Sequence, residues 1–357
     1  MKSSALFFSL AACFLGHLSA QEAATPNDNA LLLAGLPIRD TPLAAFSYDP
    51  AWVDHATEFD KAWAELETRQ LSKIRAWGPE FLGEAYANKD PLLYFFSGPD
   101  ILYAQAFFPN ASTYVLAGLE PTGAIPDIAH LPKGALAGGL ANLRKSLNAV
   151  LSFSFFITKD MKVDLKQNQL GGTLPVLYVF LARAGCRLET VELVGLDKEG
   201  ALTPGKASTH GVKIVFFGPS GGEQTLYYFE TNLANEGIKA NPGFLKFCDQ
   251  LGTAHSLVKA ASYLMHLEDF SSARNFLLEH SAAILEDDSG IPLKYFDSSK
   301  WLLRFFGSYP GPIDLFKKFY QPDMASAYLR SNAPRLPFSF GYRWHPSQCS
   351  LILATPK

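Results

Sequence analysis

Residues 92–123 constrain the fold of this 357-residue chain more than any other stretch. Leu92-Leu93-Tyr94-Phe95-Phe96 is an unbroken apolar run that stops at Ser97-Gly98. That pattern suits a strand buried on both faces rather than one with a wet side. Pro99 has the φ of a first helical position, and Asp100 beside it complements the positive end of a helix. Residues 101–108 then read as a short helix stopped by Pro109-Asn110, and residues 113–119 as a second strand closed by Glu120-Pro121. A strand–helix–strand unit this compact implies a parallel pair, and hence an α/β sheet. The expected fold is a Rossmann-like three-layer sandwich whose mixed sheet has parallel core strands and antiparallel C-terminal strands.

Composition narrows the function classes. With 48% hydrophobic and 18% charged residues the chain can bury a large core. A net charge of −3 without a basic stripe gives no footprint for nucleic acid. The first residues read as a secretory leader, 1–20: Lys2 is the positive region, 5–15 the apolar region, and Leu18-Ser19-Ala20 the small-residue cleavage site. The expected location is therefore periplasmic or secreted. The apolar run is too short and wrongly flanked to span a membrane, and no transmembrane segment is expected in the mature chain. Leu10-Ala11-Ala12-Cys13 resembles a bacterial lipoprotein box, so a lipid on Cys13 is a minor alternative. Export would leave Cys186, Cys248 and Cys349 in an oxidising compartment, as one bridge plus a thiol or as three buried thiols.

Along the chain, residues 21–47 read as an extended lead-in to a single α/β domain over 48–357. Asp49-Pro50 opens an amphipathic helix with Trp52, Phe59, Trp63, Leu66, Ile74 and Trp77 on its apolar face, expected to stop at Gly78-Pro79. A second helix begins near Pro132 with a stripe from Leu136 to Leu151. Residues 159–169 read as a surface helix, and 174–184 as a buried one ended by Gly185. Residues 191–196, 212–217 and 225–230 are strand-like. Residues 242–251 look helical, and 257–265 are ambiguous between strand and helix. Residues 270–285 read as one helix, 301–306 as a strand, Pro312 and Pro322 as openings of two short helices, and 338–343 with 351–354 as a final antiparallel pair.

Three constellations are candidates for chemistry. The first is the turn Ser97-Gly98-Pro99-Asp100 with Glu120, 22 residues after Gly98, where dinucleotide-binding folds place an acid that holds ribose hydroxyls. It resembles a nucleotide- or methyl-donor-binding Rossmann half. It departs from that pattern in lacking G-x-G-x-x-G, in losing an N–H donor at Pro99, and in placing Asp100 where it would repel a phosphate. The plain alternative is a capped helix and a strand-ending acid. The second is Gly218-Pro219-Ser220-Gly221-Gly222, a formal G-x-S-x-G. A strand on either side favours a hairpin loop over a nucleophile elbow at Ser220, whose partners would have to be Asp287 or Asp288 and His345. The third is Glu286-Asp287-Asp288-Ser289-Gly290, which is common turn chemistry unless it converges on Asp100 and Glu120. The histidines show no ligand spacing, so no metal site is expected; His130 is placed near the loop after Glu120.

The stretches Ser-Gly-Pro-Asp, Gly-Leu-Glu-Pro and Asp-Asp-Ser-Gly-Ile-Pro resemble those of a group of uncharacterised exported bacterial proteins, over most of the mature chain. That resemblance implies export and one folded unit, and carries no activity. The expectation is an exported small-molecule-binding protein or enzyme using Ser97, Gly98, Asp100, Glu120, Asp287 and Asp288 at the carboxyl edge of the sheet. The alternative is a non-catalytic envelope scaffold, or a glycan- or protein-binding module with an aromatic surface. Neither a cofactor nor an oligomeric state can be read from these residues.

Overall fold

The structure, a computed structural model, describes residues 23–132, 134–152, 170–205 and 207–357. The expected leader at 1–20, Cys13 and the expected surface helix at 159–169 lie outside these residues. The strands are β1 (Leu92–Tyr94), β2 (Thr113–Gly118), β3 (Arg187–Leu196), β4 (Leu202–Pro204), β5 (Thr209–Phe217), β6 (Glu223–Glu230), β7 (Ala254–Val258), β8 (Ser281–Glu286), β9 (Trp301–Gly307) and β10 (Ser350–Pro356). They form one mixed sheet in the order β4-β3-β5-β6-β2-β1-β7-β8-β10-β9. The inner five, β6-β2-β1-β7-β8, are mutually parallel, and both flanks are antiparallel. The fold is therefore α/β with a mixed sheet.

Position in the sheet follows composition. Every residue of β1 and β7 is buried, as central parallel strands require: β1 is wholly apolar, and β7 buries His255 and Ser256, whose Nε2 and hydroxyl are hydrogen-bonded to Asn88 and Ser281. β5 and β9 alternate between buried and more exposed residues, as flanking strands do. Alternate side chains of β1 and the residue after it enter two cores: Leu92 and Tyr94 join one, Leu93 and Phe95 the other. The first core takes helices Pro26–Leu33, Pro50–Leu66, Ser72–Phe81, Ile101–Phe107, Ala135–Ser152 and Leu174–Arg183; the second takes Gly243–Gln250 and Ser271–His280. Among the described residues no helix is long and apolar enough to cross a membrane. Cys186, Cys248 and Cys349 are all buried free thiols.

Several expectations need correction. The lead-in is not extended: Pro26–Leu33 is a helix with a capping box between Thr25 and Asp28, and it buries Ala30, Leu32 and Leu33. Gly78-Pro79 does not end its helix. Pro79 sits in the last turn of Ser72–Phe81, where the helix forgoes one N–H bond and continues to Phe81, and the chain breaks instead at Gly83, φ 58°. Residues 270–285 are not one helix but Ser271–His280 followed directly by β8. β10 pairs with β8 and β9, so 338–343 is loop rather than its partner. The ambiguous run at 257–265 resolves into the end of β7 and a turn.

One contact holds the loop after β2 in place. Gly123 (φ 84°) and Gly172 (φ 87°) meet backbone to backbone, and a Cβ on either would collide with the other strand of the contact. Thr173 N–H and Leu174 N–H donate to Pro121 O (2.9 Å) and Thr122 O (3.2 Å), tying that loop to the start of the buried helix. Gly172→Ala should therefore cost about 1–3 kcal/mol for the left-handed φ alone, with the collision added. Chemical denaturation should show the loss, and an unchanged midpoint would refute the contact's role.

Candidate functional site

In a sheet whose order runs β1-β2-β6 one way and β1-β7-β8 the other, the strand connections diverge between β1 and β7. Open α/β sheets bind ligands outside the carboxyl ends at such a point. A cleft of about 690 Å³ lies there, lined by Phe96, Ser97, Gly98, Asp100, Leu119 and Glu120 from the β1 and β2 ends. Thr231 and Asn232 follow β6, Lys259 to Ser262 follow β7, and Ile313, Leu315, Phe316 and Tyr342 close the far side. Ser97, Gly98, Asp100 and Glu120 thus share one cleft.

Each has a distinct job. Ser97 extends the β1–β2 pairing: its N–H donates to Ala117 O (3.0 Å), while its hydroxyl donates to Gly98 O (2.9 Å) and accepts from Ala117 N (3.3 Å). The turn then reverses through Phe96 (φ 60°) and Gly98 (φ 54°). Pro99 lies before the helix, not in its first turn; the N-cap is Asp100, whose Oδ1 accepts from Tyr103 N (3.2 Å). Asp100 Oδ2 accepts from the Tyr94 hydroxyl (2.8 Å) and faces Lys259 Nζ at 2.9 Å. Both side chains of that ion pair are almost fully buried, at 2% and 1% exposure, and Lys259 Nζ lies 3.9 Å from the Tyr103 ring centroid. Burial pushes the Asp100 carboxyl above its ordinary range, while Lys259, Tyr94 and the Tyr103 N–H pull it back.

Glu120 is different. It is only 3% exposed, lines the cleft, and has no cation beside it among the described residues. Its one side-chain donor is the Tyr228 hydroxyl, 3.5 Å from Oε2, and that hydroxyl's shorter bond, 2.7 Å, goes to the Glu120 carbonyl. Gly118 makes room for the carboxylate, since a Cβ there would collide with Oε2, whereas Gly98 is required by its left-handed φ of 54°.

Asp287 and Asp288 do not line the cleft; they support its wall. After β7 the backbone passes through three non-glycine residues in the left-handed region, Ala260 (φ 52°), Ser262 (φ 54°) and Tyr263 (φ 55°). Asp287 Oδ2 accepts from Ala260 N (3.2 Å), Ser289 Oγ from Ala261 N (2.8 Å), and the Tyr342 hydroxyl from Ser262 N (2.9 Å) while donating to Ala260 O (2.7 Å). Asp288 takes the Tyr263 hydroxyl (2.5 Å) and the Ser350 hydroxyl (3.1 Å). Burial first, and then the Asp288 charge, raise the Asp287 carboxyl to about 7. Burial raises Asp288 as well.

Ser220 sits exposed in the turn of the β5–β6 hairpin, so no strand-to-helix elbow forms there. His130 is exposed, pairs with Asp127, and is not part of the cleft. Sequence reasoning missed Lys259, although a single lysine inside the ambiguous, largely apolar run 257–265 signals an internal ion pair. It also missed the 309–320 cap, whose Phe319 stacks on Tyr263 while Phe316 packs against the same ring at a tilt.

Lys259→Ala should destabilise the protein by about 3–5 kcal/mol, because it strands a buried carboxylate. The double variant Asp100→Asn with Lys259→Met should recover most of that loss in denaturant unfolding; equal losses would show that the pair's charge is not the cause. A carboxyl raised to about 7 in the fold holds its proton more tightly than in the unfolded chain. Its contribution to stability is therefore present in acid and lost as pH rises through about 7. Asp287→Asn should flatten part of the fall in melting temperature between about pH 4 and pH 7; an unchanged slope would assign that fall to other groups.

Comparison with protein-family models, with curated proteins and with solved structures returned no match for this chain.

Proposed function

We propose that the protein binds a small hydroxyl-bearing molecule in this cleft, with the Glu120 carboxylate accepting hydrogen bonds from two adjacent ligand hydroxyls. The observation that carries the proposal is the state of Glu120: buried, facing the cleft and, among the described residues, without a cation and with a single weak donor. A buried carboxylate has about four acceptor positions, and leaving them empty is costly. A pair of sugar hydroxyls fills two of them, one on each oxygen.

The strand order supports the same assignment. β6-β2-β1-β7-β8 follows the doubly wound order 3-2-1-4-5 of dinucleotide-binding folds, and helices contribute to cores on both faces. This favours a Rossmann-like three-layer sandwich. Glu120 then follows the second parallel strand, where related folds hold ribose. The leader at residues 1–20 adds export, to the periplasm or outside the cell, to the proposal. A docking role for an aromatic face has less support: no described phenylalanine is exposed, and the large exposed aromatics are Tyr48, Tyr320 and Trp344.

Adenosine and its 2′-deoxy and 3′-deoxy analogues test the proposal directly by calorimetric titration. Loss of either hydroxyl should weaken binding about tenfold or more in the wild type and much less in Glu120→Gln. The unliganded variant should be no less stable, since a lone buried charge has been removed. Equal affinity for all three nucleosides, or full affinity in the variant, would sink the proposal.

A further inference from the structure

We infer that the ligand of this cleft is a nucleoside without phosphate groups, neutral or positively charged; this rests on the hydroxyl-binding proposal above. The first ground is the supply of backbone donors. A phosphate at the first strand–helix turn of a doubly wound sheet is held by free N–H groups there. In this chain Pro99 has none, Ser97 N–H is spent on Ala117 O (3.0 Å), Ile101 N–H on Pro99 O (2.8 Å), and Tyr103 N–H on Asp100 Oδ1 (3.2 Å), so the supply at the turn is reduced to the N–H groups of Gly98, Asp100 and Leu102, beside the Asp100 carboxylate. The helix that follows has only seven residues and is capped by its own carboxylate.

The second ground is charge. The ionic side chains lining the cleft are Asp100, Glu120 and Lys259. Lys259, the one cation among them, is paired with Asp100 at 2.9 Å, which leaves the Glu120 charge as a surplus. A phosphate would enter a low-dielectric cleft against that surplus, whereas a neutral or cationic group would not.

The third ground is shape and polarity. At about 690 Å³ the cleft has the volume of a small-molecule site. Its walls include the apolar and aromatic side chains of Phe96, Leu119, Phe270, Leu315 and Phe316. Such walls suit a base, and their ring faces tolerate a cation.

The test is titration of the purified protein with adenosine, AMP, ATP and S-adenosylmethionine at one ionic strength. Adenosine and the phosphate-free cation S-adenosylmethionine should bind; AMP should be at least about tenfold weaker than adenosine, and ATP weaker again. In Glu120→Gln the gap between adenosine and AMP should narrow, an effect that a merely structural role for Glu120 would not produce. AMP binding within tenfold of adenosine or more tightly, with the deoxy analogues still discriminated, would overturn this inference and leave the hydroxyl proposal standing. A gap unchanged in Glu120→Gln would overturn the charge-based exclusion. Absence of binding by all four probes would overturn both.

Discussion

The buried ion pair between Asp100 and Lys259 is the joint on which the carboxyl edge of the sheet depends. It connects the helix start after β1 to the end of β7, the two central strands from which the chain runs off in opposite directions across the sheet. Neither charge reaches water, so each is tolerable only with the other in place. Asp100 is further engaged by the Tyr94 hydroxyl from β1 and by the Tyr103 N–H of its own helix, and Lys259 lies over the Tyr103 ring. One carboxylate thus caps a helix, neutralises a lysine and ties together the segments that follow two paired strands. Both of those segments line the cleft.

Around this joint the backbone is strained on both sides. Phe96 before the first helix and Ala260, Ser262 and Tyr263 after β7 all occupy the left-handed region, which costs an L-residue of order 1–3 kcal/mol each. The second group is held by side chains that come from far along the chain: Asp287, Asp288 and Ser289 after β8, and Tyr342 before β10. The acidic cluster therefore shapes the cleft without entering it. Its carboxyls hold protons readily because they are buried beside one another.

Much of the central unit was legible because local and global signals agree there. An unbroken apolar run, a proline–aspartate pair and a second strand-forming run over residues 92–119 leave few alternatives, and β1 and β2 are parallel with Leu92 opposite Tyr114. Where local signals were weak, the reading failed. Pro26–Leu33 has only eight residues, too few for a period to show, and its capping box uses aspartate. No breaker separates His280 from Ser281, so the change from helix to β8 depends on the partners β7 and β10 rather than on the residues themselves. The wrong partner for β10 has the same origin, since adjacency in a sheet is set across long sequence separations. At the site, Asp100 and Glu120 were visible as acids ending elements. Lys259 was hidden in an ambiguous run, and the supporting role of Asp287 and Asp288 is a tertiary fact.

The contrast between the two acids of the cleft bears most directly on function. Asp100 is fully engaged, and its presence is explained by stability and geometry alone. Glu120 is as deeply buried but has neither a cation nor a strong donor beside it among the described residues, and Gly118 leaves the space that its carboxylate fills. A fold arranged only for stability gains nothing from a charge in that position, because glutamine or an apolar residue would avoid the desolvation cost. A ligand that donates hydroxyl hydrogens reverses the sign: the groups that were unsatisfied become its anchors, and the prior desolvation means that less water must be displaced on binding. The same lone charge that receives hydroxyls also repels anions. Recognition of a sugar and rejection of a phosphate are therefore two consequences of one buried carboxylate.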